Sequence, residues 1–410
     1  VWFLNYRISE SDQEPSAEAE TDITFLNCTS TLSEREIESE LVDYKSSHAQ
    51  ETVAGRIHRP ESINYWRNVL QADTWTMNVL ENGYSLPFIS EPGPYFEANN
   101  RSALDRTDFV RNKLNQMLKN KVLRETKERP FCCSPLSVAE KRKEDGTVAL
   151  RLCFDASRHI NPLLKKEKFR LTSFTEAAEL ISRDDYIAVF DLKSSFYHIG
   201  ISEDHQQYLG ISFNDNGRIR YFVFLTMPFG LATACYVLNR ITRPLVAYIR
   251  SHGVLLALYL DDGRVNGPTK TDAHQQLQFC IDAFTKAGFI FSEAKTDSYD
   301  TISKKKRYLG LVMDTTSMEI LIPEDKLKTI EKSFQELKDH GSRRIHATVL
   351  ASAIGKANAA APAFGAILAV WLRSLYIDLD TAVELKGWDC SVALSKISIE
   401  CISVILDNLR

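Results

Sequence analysis

Apolar positions along this chain fall into two rhythms. Residues 61–82 place Trp66, Leu70, Met77 and Leu80 on one helical face, and residues 104–127 do the same with Val110, Leu114, Met117 and Leu118. Residues 131–155 shift to strand-like runs around a basic turn. From 186 onward, short apolar strands alternate with helices. Tyr186–Ile199 starts as a strand ending in Asp191, and its alternation resumes in Phe196, His198 and Gly200. Phe222–Ala234 reads as a strand, a Pro-Phe-Gly turn and the small-residue start of a helix. Val254–Val265 reads as a hairpin, and Asp272–Ala287 as a helix stopped by Gly288 in the cap position. Pro323 opens a helix with Leu327, Ile330, Phe334 and Leu337 on one stripe, ending at His340-Gly341. An Ala-rich helical region, 346–373, and a last helix, 391–409, complete the chain. The pattern predicts an α+β fold.

The informative polar positions interrupt the apolar strands. Asp261 and Asp262 follow Val254-Leu-Leu-Ala-Leu-Tyr-Leu260 directly. Two such charges about 4 Å apart repel by about 4 kcal/mol at an effective dielectric near 20. A solvated Asp-Gly turn is one explanation; a hard divalent cation on the paired carboxylates is the other. Asp191, at the end of a second apolar strand, favours the cation. Strands lying side by side would converge three acids on one point, the layout of a two-metal site.

These segments, in this order and spacing, resemble the catalytic motifs of a reverse transcriptase: the Asp191 strand, the Pro-Phe-Gly segment and the Tyr-Leu-Asp-Asp hairpin. Leu150–Arg158 with Asn161 resembles a fingers strand. Gly288-Phe289 with Lys295, then Tyr308–Asp314, resemble the late palm and the primer grip. Tyr221–Ala234 with Cys235, and Arg243–Val246, resemble eukaryotic retrotransposons of the DIRS type or gypsy-like elements more than retroviruses. So do Gly55-Arg-Ile, Tyr65-Trp66 and Glu81–Tyr84. The likeness runs over residues 53–410. It implies a right-hand polymerase with a helical segment at 53–105, fingers and palm at 106–317, a thumb at 318–345 gripping the duplex, and a helical connection at 346–410.

Residue by residue, the resemblance implies metal ligation by Asp191, Asp261 and Asp262, with the Leu192 carbonyl as a further ligand, for two Mg²⁺ ions or Mn²⁺. It implies that Phe196 blocks a ribose 2′-hydroxyl, where an unaided reading gives a core aromatic. Arg151 and Lys143 would hold the triphosphate, with Ser194, Ser195, Phe229, Gly230 and Lys295 also around the nucleotide. Ser194 stands where retroviruses often have an acid, and Phe229 where they often have glutamine. Tyr259, Leu309 and Gly310 would position primer and template. The implied activity is RNA-directed DNA polymerisation on a primed RNA or DNA template with deoxynucleotides. The other readings are a decayed or domesticated copy that binds nucleic acid without catalysis, and an RNA-directed RNA polymerase, which Phe196 disfavours.

Charge distribution changes one point. The whole chain carries 50 bases and 54 acids, but residues 1–52 hold 12 of the acids and 3 of the bases. The remainder has 47 bases and 42 acids, a mildly basic body able to follow a phosphate backbone. The acidic, Ser/Glu-rich residues 1–52 read as a disordered tail. Val1 in place of Met fits a piece of a longer polyprotein, with RNase H or recombinase regions as neighbours in it. The acids at 378, 380, 384 and 389 form no recognisable nuclease site. Eight scattered cysteines without zinc spacing point to a reducing cytoplasmic or nuclear setting. The longest apolar stretch, 357–372, is too short and broken to span a membrane.

Overall fold

The structure, a computed structural model, describes residues 52–142, 148–341 and 344–409. The expected acidic tail, Lys143 and the tip of the basic turn lie outside the described residues. The described part falls within one unit, Glu51–Arg410.

The central layer is an antiparallel sheet in the order Tyr186–Asp191, Asp262–Gly267, Ala257–Tyr259. Its strands are short and largely buried because both faces are covered, even where the middle strand carries Arg264 and Asn266. The helix Lys270–Lys286 packs on one face, where it touches both long strands. A capping box of Thr269 and Asp272 starts this helix. It stops at Ala287, followed by Gly288 at φ +96°. A side chain at Gly288 would meet the Ile57 backbone at 2.8 Å, so the cap glycine also admits a close approach. On the other face, Ile187 and Ala257 join a core with Phe334, Leu350, Leu372 and Ile402.

A second sheet runs in the order Tyr95–Phe96, Cys132–Cys133, Gly210–Asp215, Arg218–Phe224, Leu123–Thr126. The hairpin Leu136–Arg142/Val148–Phe154 stands apart from it as a two-stranded ribbon. A third sheet, Lys305–Tyr308, Leu311–Asp314 and Glu319–Leu321, leads into the helix Glu324–His340. That helix buries Ile330, Phe334 and Leu337, as its stripe predicts, and Leu327 is half-buried. It packs on Ala347–Asn358 and Lys396–Asn408, so helices on both sides of residue 345 share one core.

Several expected elements differ. Residues 61–82 form two helices, Pro60–Asn68 and Thr74–Asn82, not one. Gln71 at φ +48° breaks the run, and Asp73 caps the second helix through the Thr76 amide. The 104–127 helix is Thr107–Lys119; Lys121 at φ +56° turns the chain, and Leu123–Thr126 becomes an edge strand paired with Tyr221–Phe224. Tertiary pairing there overrides a helical period. Ser195–His198 is a 3₁₀ turn rather than a continuing strand. The last helix is Lys396–Asn408, because Ser391–Val392 pairs with Ile345–His346.

Candidate active site

Register decides the site. Asp191 lies directly opposite Asp262, and Asp262 opposite Tyr259, across the three-stranded sheet. Leu260 and Asp261 are therefore the two residues of a tight turn. Leu260 has φ +56°, a conformation a branched side chain resists. The Leu192 amide donates to the Asp261 carbonyl at 2.9 Å and fixes the turn to the neighbouring strand. Three carboxylates are thus delivered to one end of one sheet.

Their surroundings disfavour charge. Burial first, then the Asp191 charge, raises the Asp261 pKa. Burial, then Asp261 and Asp191, pushes Asp262 up to about 6. Lys295 relieves part of this: its Nζ donates to Asp191 Oδ2 at 2.7 Å. Burial opposes its charge, but the Asp191 bond and the three carboxylates outweigh that and raise its pKa. The Lys295 side chain is 64% exposed while that of Asp191 is 10% exposed, so the lysine lids the acid from the solvent side. Lys295 closes the short 3₁₀ turn Glu293–Lys295.

Hard carboxylate oxygens whose charge is disfavoured suit a divalent cation. Among the described residues, however, no three His, Cys, Asp or Glu side chains are gathered as a ready metal cage. The Lys295 ammonium occupies one oxygen of Asp191. The donor chemistry fits the ion, and the Lys295 bond must yield to it.

Beside the carboxylates, Phe196 is 8% exposed and meets Phe229 edge-to-face at 4.8 Å. Phe229 itself is 42% exposed and also touches Tyr197. Gly230, at φ +110°, lies against the Phe154 carbonyl with no room for a Cβ. Asn161 clamps this loop, donating to the Gly230 carbonyl at 2.9 Å and accepting from the Ala232 amide at 2.8 Å. Ser194 is exposed at φ +51°, whereas Ser195 is buried. Any part Ser195 plays toward a ligand therefore runs through its backbone. Arg151 sits exposed on its ribbon opposite Ala139. Tyr259 is half-buried beside the turn, its hydroxyl held protonated by burial and then by Cys235 and the two acids. Leu309 (φ +44°) and Gly310 (φ +80°) form the two-residue turn of the hairpin Lys305–Tyr308/Leu311–Asp314.

Sequence reading missed the supports. His198 is fully buried, its Nδ1 bonded to the Ser195 carbonyl and its Nε2 accepting from the Ile290 amide at 3.1 Å. Burial drops its pKa to about 3, so it stays neutral and holds the Phe196 turn. His58 accepts from the Gly200 amide at 2.6 Å, and the Gly55 amide donates to the Tyr197 carbonyl. Trp66 donates to the Ala287 carbonyl. Residues 55–66 therefore buttress the site. The sequence signals in this part of the chain are the helical face that carries Trp66 and the likeness at Gly55-Arg-Ile, Tyr65-Trp66 and Glu81–Tyr84.

Residues 119–313 match the family described as Reverse transcriptase (RNA-dependent DNA polymerase). The chain is 24% identical over 209 residues to the Retrovirus-related Pol polyprotein from transposon gypsy of Drosophila melanogaster, covering 50% of this chain and 19% of that protein. It is 27% identical over 174 residues to the Genome polyprotein of Petunia vein clearing virus, covering 42% of this chain and 7% of that one. The chain thus spans less than a third of either relative. Among solved structures, the foamy viral protease-reverse transcriptase dRH in complex with double-stranded DNA superposes with a TM-score of 0.59 at 17% identity, over 90% of this chain and 60% of that one. The foamy viral protease-reverse transcriptase in complex with an RNA/DNA hybrid gives 0.55 at 16%, over 90% and 46%. At this identity the likeness fixes the fold, which is the right hand expected.

Proposed function

We infer, from a chain whose residues 119–313 are a reverse transcriptase domain of a retrotransposon polyprotein, that it is an RNA-directed DNA polymerase. The observation that carries the reading is the Asp191–Asp262 register with Asp261 in the turn between strands. The reaction joins a primer 3′-hydroxyl to the α-phosphate of a template-paired deoxynucleotide and releases pyrophosphate. Two Mg²⁺ ions, or Mn²⁺, held by Asp191, Asp261, Asp262 and the Leu192 carbonyl would supply Lewis-acid activation and neutralise phosphate charge.

The chain's own residues do the rest. Phe196, backed by Phe229 and held by His198, fills the space a 2′-hydroxyl would need. Phe229 and Gly230 present an apolar floor to the nascent pair. Arg151, on the ribbon, and Lys143 meet the triphosphate. Lys295 neutralises Asp191 until substrate arrives and is then placed to give a proton to the leaving pyrophosphate. Leu309, Gly310 and Tyr259 hold the primer end. The partners are a primed RNA or DNA strand and, within the same polyprotein, RNase H or recombinase regions. No described helix is long and apolar enough to cross a membrane. The free thiols among the described cysteines fit a reducing cytoplasmic or nuclear compartment.

One observation favours a second reading. The Lys295–Asp191 ion pair would suit a non-catalytic copy that only binds nucleic acid. Primer extension on an RNA template separates the two, comparing deoxynucleotides with ribonucleotides in Mg²⁺ and then Mn²⁺. Deoxynucleotide extension that disappears in Asp261→Asn and Asp262→Asn is expected; no extension from folded protein under either metal selects the non-catalytic copy.

A further inference from the structure

Arg264 is fully buried two residues beyond Asp262, on the same face of the same strand. It is among the largest wholly buried side chains, and no carboxylate among the described residues forms an ion pair with it. Its Nη1 donates to Asn266 Oδ1 at 2.7 Å, and its Nη2 to the Ala177 carbonyl at 2.7 Å. Ala177 lies in the last turn of the short helix Phe174–Glu179, where a cation is favoured. Its Nε has no hydrogen-bond partner among the described residues. A buried cation with an orphan donor is expensive, and an apolar residue of similar volume would serve packing better. The position must therefore do something that packing does not.

The contacts show what. Asn266 passes the link on, its Nδ2 donating to the Leu180 carbonyl at 3.0 Å and to Asp185 Oδ2 at 2.6 Å. Thr315, at the far end of the Leu309–Gly310 hairpin, donates to the Asp185 carbonyl at 2.7 Å. At the near end, the Tyr308 hydroxyl donates to the Asp262 carbonyl at 3.2 Å. Tyr308 is the residue just before Leu309. The carboxylate strand and the turn assigned to the primer are thus tied at two points, and Arg264 lies between them.

We propose that Arg264 is a positioning residue that fixes the distance between the metal-binding carboxylates and the primer-holding turn, through Asn266–Asp185–Thr315 on one side and the Asp262–Tyr308 bond on the other. The assignment rests on the polymerase reading for its consequence, but the coupling itself does not. Loosening it misplaces the primer hydroxyl without touching the nucleotide pocket around Phe196 and Phe229.

The test uses Arg264→Met, which keeps volume and removes the fork, Arg264→Lys, which keeps one bond, and Tyr308→Phe, which breaks the near tie with little change in packing. Single-turnover extension of a preformed enzyme–primer–template complex should slow by about tenfold to a hundredfold in Arg264→Met. Apparent deoxynucleotide affinity should change less than about twofold, with Lys intermediate and Tyr308→Phe showing the same split. Hydrogen exchange provides a readout free of catalysis. Amides at 259–263 and 308–311 should lose protection together, while helix Lys270–Lys286 keeps its own. Rate and nucleotide affinity falling in parallel, or an unchanged rate, overturns the assignment. If the parent protein extends no primer, the polymerase reading fails, and exchange still decides the coupling: unchanged protection at 308–311 in folded Arg264→Met, or in Tyr308→Phe should Met not fold, refutes it.

Discussion

Gly263→Ala is the sharpest perturbation of the carboxylate register. Gly263 sits opposite Phe190, one residue inside the Asp262–Asp191 pair. A Cβ there would lie only 2.0 Å from the edge of the Phe190 ring. Ordinary carbon contacts lie near 3.5–4 Å, so the ring would have to retreat by more than about 1 Å. It has nowhere to go: Phe190 is 1% exposed and is held edge-to-face by Phe284 at 5.7 Å and Phe291 at 5.4 Å. Overpacking of this kind costs about 1–3 kcal/mol. Denaturant unfolding should show that loss with an unchanged slope. The strand pair must part next to the acids, so extension should also fall by about tenfold or more. Adding Phe190→Leu makes room, and the double variant should recover at least about 0.5 kcal/mol relative to the sum of the singles. Stability of Gly263→Ala within about 0.3 kcal/mol of the parent, or strict additivity with Phe190→Leu, would refute the packing account.

Other outcomes follow from the same geometry. The folded protein keeps the Asp262 proton up to about pH 6, while an ordinary aspartate releases it near 3.8. The native state therefore binds the extra proton in that window, and the group's stabilising contribution, full at lower pH, is lost as pH rises through about 6. Metal-free Asp262→Asn should match the parent near pH 4 and exceed it at pH 7, by about 1–2 kcal/mol after allowance for partial exposure; a difference flat with pH in thermal melts contradicts this. Phe196→Val should raise ribonucleotide use relative to deoxynucleotide use by at least about tenfold in kcat/KM, as pocket-size changes do; unaltered discrimination would return Phe196 to a core role. Gly230→Ala, at φ +110° and against the Phe154 carbonyl, should lose more than about 2 kcal/mol in denaturant unfolding; an unchanged midpoint would show that the loop can move.

What the sequence by itself determined is local. The Asp-Asp turn follows from an apolar run meeting two polar residues, and the Asp191 strand from another such run; the cap at Gly288 and the stripe of Ile330, Phe334 and Leu337 are written within a few residues of themselves. The family likeness added roles to those positions. Even so, helical periodicity at 104–127 gave way to an edge strand, because pairing with Tyr221–Phe224 is worth more to Leu123–Thr126 than its own period.

What only the tertiary structure decided is how distant segments complete the site. Lys295 reaches Asp191 across 104 positions, His58 reaches Gly200 across 142, and Arg264 reaches Ala177 across 87. The likeness around Gly288-Phe289 marks Lys295 but not its bond to Asp191, and no local pattern gives His58 its bond to Gly200. Arg264 lies in a segment that reads only as a hairpin, yet it is completely buried and bonded to Ala177 of the helix Phe174–Glu179. Each partner is fixed by sheet register and helix packing summed over the whole core, and that sum is not contained in any window of the chain.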